Sequence, residues 1–236
     1  MSFDDLDFQG EEPQAIWSDI ANKDHYTNEL GDMGSVHDYF LAQSRGLFDL
    51  SFDVVGPYKA PKSVTYYGEN DSRGKDQHSR IIELLKFACE LADKEVNFKD
   101  YDWDGDGEVD QVFMLYAGRG EASGGESYTI WPHESNIGKW PERYCLDDVI
   151  INTYACGEEL DYYKNHKGIG TFCHEFSHCL GLPDFYDTNY TNTYSMGSWD
   201  VICGGCNGWV PASYIGYERN FCGWLEYKEL TAPCKA

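Results

Sequence analysis

Apolar positions recur at helical spacing between Ser79 and Lys94. Ile81, Ile82, Leu84, Leu85, Ala88 and Leu91 fall on one side and predict an amphipathic helix that covers a sheet. Ser35 to Arg45 carries a shorter pattern of the same kind. Phe48-Asp49-Leu50-Ser51-Phe52-Asp53-Val54 instead alternates apolar and polar, as a half-buried strand does, and Gly56-Pro57 closes it. A strand follows near Val109–Ala117, where Val112-Phe113-Met114-Leu115-Tyr116-Ala117 reads as buried. Val149-Ile150-Ile151-Asn152-Thr153-Tyr154 predicts another, and Pro211 opens a last helix that ends near Gly223. No internal repeat or low-complexity linker interrupts the chain.

The densest chemistry lies in His174-Glu175-Phe176-Ser177-His178-Cys179-Leu180-Gly181-Leu182-Pro183-Asp184. Histidines at i and i+4 share one helix face, about 5–6 Å apart at Cβ, so both imidazoles can reach one tetrahedral metal. Glu175 directly follows the first of them. Its carboxylate can sit beside the metal and take a proton from a water whose pKa zinc lowers to about 7. Gly181 can adopt the left-handed conformation that stops the helix and turns the chain back, carrying Asp184 toward the metal. Three protein ligands and one open position describe a catalytic zinc, whereas a structural zinc is closed by four. Spacing alone allows an aspartate or a histidine as the third ligand.

The stretch from Gly170-Thr171-Phe172-Cys173-His174 through Leu182-Pro183-Asp184-Phe185-Tyr186-Asp187 closely resembles the catalytic segment of the M6 metallopeptidases, the immune inhibitor A group within the metzincin class. Gly34-Ser35-Val36-His37-Asp38-Tyr39-Phe40, Tyr101 to Asp110, Ile130-Trp131-Pro132-His133 and Gly197-Ser198-Trp199-Asp200 resemble further family segments in the family's order, so the likeness spans nearly the whole chain. It implies a secreted zinc endopeptidase with His174, His178 and Asp184 as ligands, Asp184 being favoured over Asp187, and Glu175 as general base. The family also implies a methionine in the turn beneath the metal. Here Ile202 stands at that place, a swap of similar volume that typically costs under about 1.5 kcal/mol. Met196 is six residues too early to replace it.

Asp102-Trp103-Asp104-Gly105-Asp106-Gly107-Glu108-Val109-Asp110 sets carboxylates at alternating positions around glycines, a hard-oxygen arrangement that suits calcium. Asp102, Asp104, Asp106, the Glu108 carbonyl and Asp110 are the candidate ligands. The twelfth position is Phe113 rather than glutamate, so the expectation is a calcium clip at a strand entrance and not a helix-loop-helix site. The competing reading is an acidic turn capped by its own aspartates.

Composition narrows the partners. A net charge of -23 over 236 residues argues against nucleic acid and anionic membranes. Aromatic content of 16% excludes general disorder, and no segment approaches the roughly 18–20 apolar residues of a membrane span. Nine cysteines suggest disulfides if the chain is exported. Met1 to Phe8 is acidic and lacks signal-peptide character; beside the family, the chain is expected to begin within or just after the first catalytic-domain strand.

The expected fold is a metzincin-like α/β (α+β) zinc peptidase, a single catalytic domain over 1–236. A mixed twisted sheet and the zinc-binding helix occupy an N-terminal lobe, 1–181. A small C-terminal lobe, 182–236, bears the methionine-turn-like segment. A protein or peptide substrate would lie extended in the cleft between them, with His133 and Tyr214 as candidates to steady the oxyanion. Two other readings remain: a catalytically degenerate binding module, suggested by Ile202, and a calcium-stabilised extracellular structural or adhesive domain.

Overall fold

The computed structural model describes residues 1–138, 143–189, 191 and 195–229. Its helices are α1 (Pro13–Asn22), α2 (Val36–Gln43), α3 (Val64–Gly68), α4 (His78–Ala92), α5 (Gly170–Cys179) and α6 (Gly216–Phe221). Its strands are β1 (Val112–Arg119), β2 (His133–Asn136), β3 (Tyr144–Leu146), β4 (Val149–Ile151) and β5 (Thr153–Leu160). β5 lies between β1, to which it is parallel, and β2, to which it is antiparallel; β3 and β4 form a separate antiparallel pair. The mixed α/β architecture expected from the sequence is present.

The apolar run of β1 is explained by helices on both faces. Met114 and Tyr116 point into one core with Tyr67, Ile81, Leu84 and Leu85 from α3 and α4. Phe113 and Leu115 point the other way, against a second core built from α1, α2 and α5. Phe113 stacks on Phe172 of α5 with ring centroids 3.7 Å apart. A strand covered on both sides has no polar face to alternate with, hence its continuous hydrophobicity. The period-3.6 pattern of α4 likewise buries Ile81, Leu84, Leu85, Cys89 and Ala92.

Several elements differ from expectation. The 48–54 segment keeps its predicted alternation, with Leu50 buried and Asp49, Ser51 and Asp53 exposed, yet it joins no sheet. Side chains of α1 take the place of a neighbouring strand. Asn22 donates from Nδ2 to the Phe52 carbonyl at 3.0 Å and accepts the Phe52 N–H on Oδ1 at 2.7 Å, and Gln14 donates to the Val54 carbonyl at 2.9 Å. The predicted 149–154 strand is two, β4 and β5. The final helix starts at Gly216, because Pro211 to Ile215 runs extended into it.

The eight cysteines among the described residues are free thiols, including Cys203 and Cys206. Cys173, wholly buried on α5, packs as a small hydrophobe. Among the described residues no helix is long and apolar enough to cross a membrane.

Asn22→Ala removes both bonds to the Phe52 backbone and leaves its N–H and C=O without those partners. The expected loss is about 1–3 kcal/mol, read as a lower midpoint in urea unfolding at unchanged slope.

Candidate metal centre

α5 presents its ligands from a helix whose end is geometrically specified. Gly181 adopts φ +86°, its N–H bonds to the His178 carbonyl at 2.9 Å, and the Leu182 N–H reaches the Ser177 carbonyl at 3.4 Å. This crossed pair of bonds around a left-handed glycine closes the helix and reverses the chain within one turn. The start of α5 is equally constrained. A Cβ on Gly170 would lie 2.0 Å from the Cys206 carbonyl oxygen and 2.7 Å from that of Gly208, so only glycine lets the helix abut that loop.

After the reversal, Asp184 Oδ1 stands 3.4 Å from His174 Nε2 and 3.4 Å from His178 Nε2, and the two Nε2 atoms are 3.3 Å apart. The other ring nitrogens are already committed. His174 Nδ1 donates to the Val201 carbonyl at 2.7 Å and His178 Nδ1 to the Leu182 carbonyl at 2.8 Å, which leaves both Nε2 atoms as the positions open to a proton or a metal. Asp184 Oδ1 is buried and accepts no hydrogen bond. Three ligating atoms therefore face one point, where only a proton or a metal cation can sit between them, an arrangement that suits a cation. Ligands at about 2.0–2.1 Å from a tetrahedral ion are separated by about 3.3–3.4 Å, which is the spacing found here. The residues fit a zinc-like metal.

Electrostatics agree. Burial works against the charged form of His174, yet Asp184, the Cys206 thiol and Glu175 outweigh it and push the imidazole up to about 11. His178 is raised too: burial opposes its charge, while Asp184 and the Leu182 carbonyl favour it. Burial raises Asp184, but the two imidazoles hold it well below the usual carboxylate range. The cluster thus attracts positive charge, and a metal must displace protons to enter.

Glu175 adjoins the ligands in a cleft of about 820 Å³ lined also by Trp131, His133, Glu134, Lys167 and Tyr186. Burial raises its carboxyl above the ordinary glutamate range, partly offset by His174, His178 and His133. A separate apolar cavity of about 230 Å³, between the 50–58 segment, α4 and β1, contains none of these groups.

The two oxyanion candidates part company. His133 lines the cleft, where Nδ1 donates to the Trp131 carbonyl at 2.7 Å and Nε2 pairs with the Tyr154 hydroxyl at 2.9 Å, so both nitrogens are engaged within the protein. Tyr214 is buried on the far side of α5, its hydroxyl against Ser177 Oγ and its ring among Tyr39, Phe40 and Trp224. That position is core packing and lies off the cleft. Sequence reasoning missed the Val201 and Leu182 carbonyls, since backbone acceptors leave no signature in residue type.

In the acidic loop, Asp102, Asp104 and Asp106 bring one oxygen each within 4.8 Å of one another. The same side chains cap the turn: Asp102, Asp104 and Asp106 accept the N–H groups of Gly107, Asp106 and Glu108 at 3.1, 3.1 and 2.8 Å. Asp110 accepts from Trp103 N–H at 2.6 Å, and burial together with its three acidic neighbours raises its carboxyl. Glu108 lies outside the cluster of carboxylates, bridged through its backbone to Ile150. Asp102 Oδ1 is buried without a partner. Another group, not anticipated, surrounds His37, which sits 2.9 Å from Asp49 and 3.3 Å from Asp24 beside Asp38. Asp38 serves there as the capping-box residue of α2, and Asp24 and Asp49 are largely exposed, so this is a polar cluster at the surface.

Comparison with known sequences places most of the chain in one family. The immune inhibitor A peptidase M6 catalytic domain matches residues 7–222. The pre-pro-metalloprotease PrtV of Vibrio cholerae is 27% identical over 243 residues, covering 87% of this chain and 26% of that protein. Immune inhibitor A of Bacillus thuringiensis subsp. alesti is 26% identical over 251 residues, covering 89% of this chain and 36% of its own length. The chain thus spans about a quarter to a third of these relatives.

Gly170→Ala is expected to push α5 off the 206–208 loop at a cost of about 1–3 kcal/mol, several degrees in melting temperature. Thermal unfolding checks this, and an unchanged midpoint would contradict the tight contact.

Proposed function

Since the chain belongs to the immune inhibitor A peptidase M6 family, we propose that it is a secreted zinc endopeptidase with His174, His178 and Asp184 as metal ligands and Glu175 as general base. The observation that carries the reading is the convergence of three metal-ligating atoms beside a buried glutamate in one cleft. A zinc ion held there would supply Lewis acidity toward a scissile carbonyl and toward water. Glu175 accepts the proton of the attacking water and passes it to the leaving amine, a role its raised pKa suits because the carboxyl must be a competent acid as well as a base near neutral pH.

β2 supports a peptide substrate. It is an edge of the three-stranded sheet, and His133 and Glu134, at its start, line the cleft. An extended peptide can add to its free edge by main-chain hydrogen bonds, which delivers a carbonyl to the ligands with little dependence on side-chain identity. Residues 1–181 and 182–236 then form the two walls of a single catalytic domain. Ile202 fits this role beneath the site: it is fully buried, and its carbonyl accepts the Phe185 N–H at 2.9 Å, tying the turn to the Asp184 segment. Export accords with the family and with the name of the Vibrio relative, which marks a leader and a pro-segment in that protein. The acidic loop is proposed to hold calcium through Asp102, Asp104 and Asp106, with Asp110 and the Glu108 carbonyl completing the shell.

Glu175→Gln keeps size and leaves the ligands intact. It should bind one zinc as the parent does while cleaving a quenched protein substrate about 10²–10⁴-fold more slowly; equal cleavage by both proteins would remove Glu175 from the mechanism. Selective calcium removal is expected to lower the melting temperature with little change in cleavage chemistry, and an unchanged midpoint would leave the loop as a self-capped turn.

A further inference from the structure

Behind the metal centre two acidic side chains are sealed from solvent. Asp200 and Glu218 are each 0% exposed. Each uses one oxygen on a backbone amide: Asp200 Oδ1 accepts the Ile202 N–H at 2.9 Å, and Glu218 Oε2 accepts the Ile215 N–H at 2.7 Å. The turn that begins at Asp200 packs on the segment that leads into α6, Gly205 donating to the Asp200 carbonyl at 2.9 Å and Ala212 to the Gly205 carbonyl at 2.8 Å, and across this junction the two carboxyls act on one another. The oxygens that remain, Asp200 Oδ2 and Glu218 Oε1, receive no hydrogen bond from any described residue.

Two adjacent buried carboxylates cannot both be charged without a large penalty. The cation next in the chain does not resolve this, because Arg219 directs Nη2 to Gln43 Oε1 at 2.7 Å. The other titratable groups around Glu218, namely Tyr39, Tyr214 and Cys222, are themselves kept protonated and neutral by burial, and Asp200 also feels His174 and Tyr39. Two unpartnered oxygens are far short of the six to eight that calcium takes. A proton satisfies both at once.

We propose that Asp200 and Glu218 share one proton, a carboxylic acid donating to a carboxylate, and that this acid pair positions the turn that orients His174. Asp200 organises the turn from its first residue: its carbonyl accepts the N–H groups of Cys203 at 3.1 Å and Gly205 at 2.9 Å, while its side chain holds Ile202. Between them Val201 extends its carbonyl to His174 Nδ1. Glu218, in the first turn of α6, fixes the pair from the other side. Neither carboxyl touches the ligand atoms, so both are positioning residues. The positioning role rests on His174 being a zinc ligand, whereas the shared proton does not.

Burial, with Asp200 beside it, pushes Glu218 up to about 8, and burial raises Asp200 as well. The fold holds a proton that the unfolded chain has released above about pH 4.3. The pair's contribution to stability is therefore full below that pH and declines as pH rises to about 8. Above it the native pair itself loses the proton and the two charges repel.

The test uses the full chain with zinc alone as probe. Infrared difference spectra should show a protonated buried carboxyl in the parent at pH 6.5 that titrates away near pH 8, and no such band in Glu218→Gln or Asp200→Asn, where an amide supplies the donor permanently. Zinc affinity of the parent, relative to Glu218→Gln, should fall several-fold between pH 7 and 9, with Asp200→Asn matching the flatter profile. Absence of the band in the parent, its persistence in both variants, or one pH profile shared by all three proteins would overturn the proposal. A peptidase-inactive parent that still shows the band and the affinity shift would defeat the proposed function and leave the acid pair standing.

Discussion

The hydrogen bonds from His174 Nδ1 to the Val201 carbonyl and from His178 Nδ1 to the Leu182 carbonyl carry more of this structure than their number suggests. They select the tautomer of each imidazole, aim both Nε2 atoms at Asp184, and join α5 to the two stretches of chain that follow it. Because Val201 and Ile202 belong to the same core as Phe172 and Phe176, the aim of the ligands is set by apolar packing as much as by polar contact. A ring held at one nitrogen and wedged against a close-packed interior has little freedom to turn away from a metal.

The sheet supplies the other half of the constraint. Its central strand β5 and the parallel β1 are covered on both faces, and Phe113 against Phe172 passes that rigidity to the ligand-bearing helix. The cleft opens at β2, the edge strand of the sheet among the described residues. One small sheet thereby performs two tasks: its inner strands fix the helix, and its edge strand faces the place where a substrate would lie.

What was legible in the sequence was local. α4 announced itself by its 3.6-residue period, β1 by an unbroken apolar run, and the metal centre by two histidines, a glycine and an aspartate within eleven positions. The illegible parts depend on contacts between distant residues. The 48–54 segment has a strand's alternation, but alternation reports only which side is buried; the backbone partner is Asn22 of α1, and nothing in the apolar pattern of that helix says which backbone its polar side chains reach. Tyr214 is chemically suited to an oxyanion and could be excluded only once its hydroxyl was seen against Ser177. The Asp200 and Glu218 pair was invisible for the same reason, since neither residue looks unusual until both are buried together.

The left-handed reversal at Gly181 has a bearing on how the domain assembles. Bringing His174, His178 and Asp184 together closes only a short length of chain, whose loop entropy is small and mostly met by helix α5 itself. The clasp from His174 to Val201 closes a loop of 27 residues, and the bonds from α2 to the C-terminal segment span more than 170. The ligand triad is thus the inexpensive, local step of assembly, and the cleft's far wall is the entropically demanding one. A metal captured at this site would reward the local step and anchor one end of the longer closures, a contribution to assembly distinct from any to chemistry.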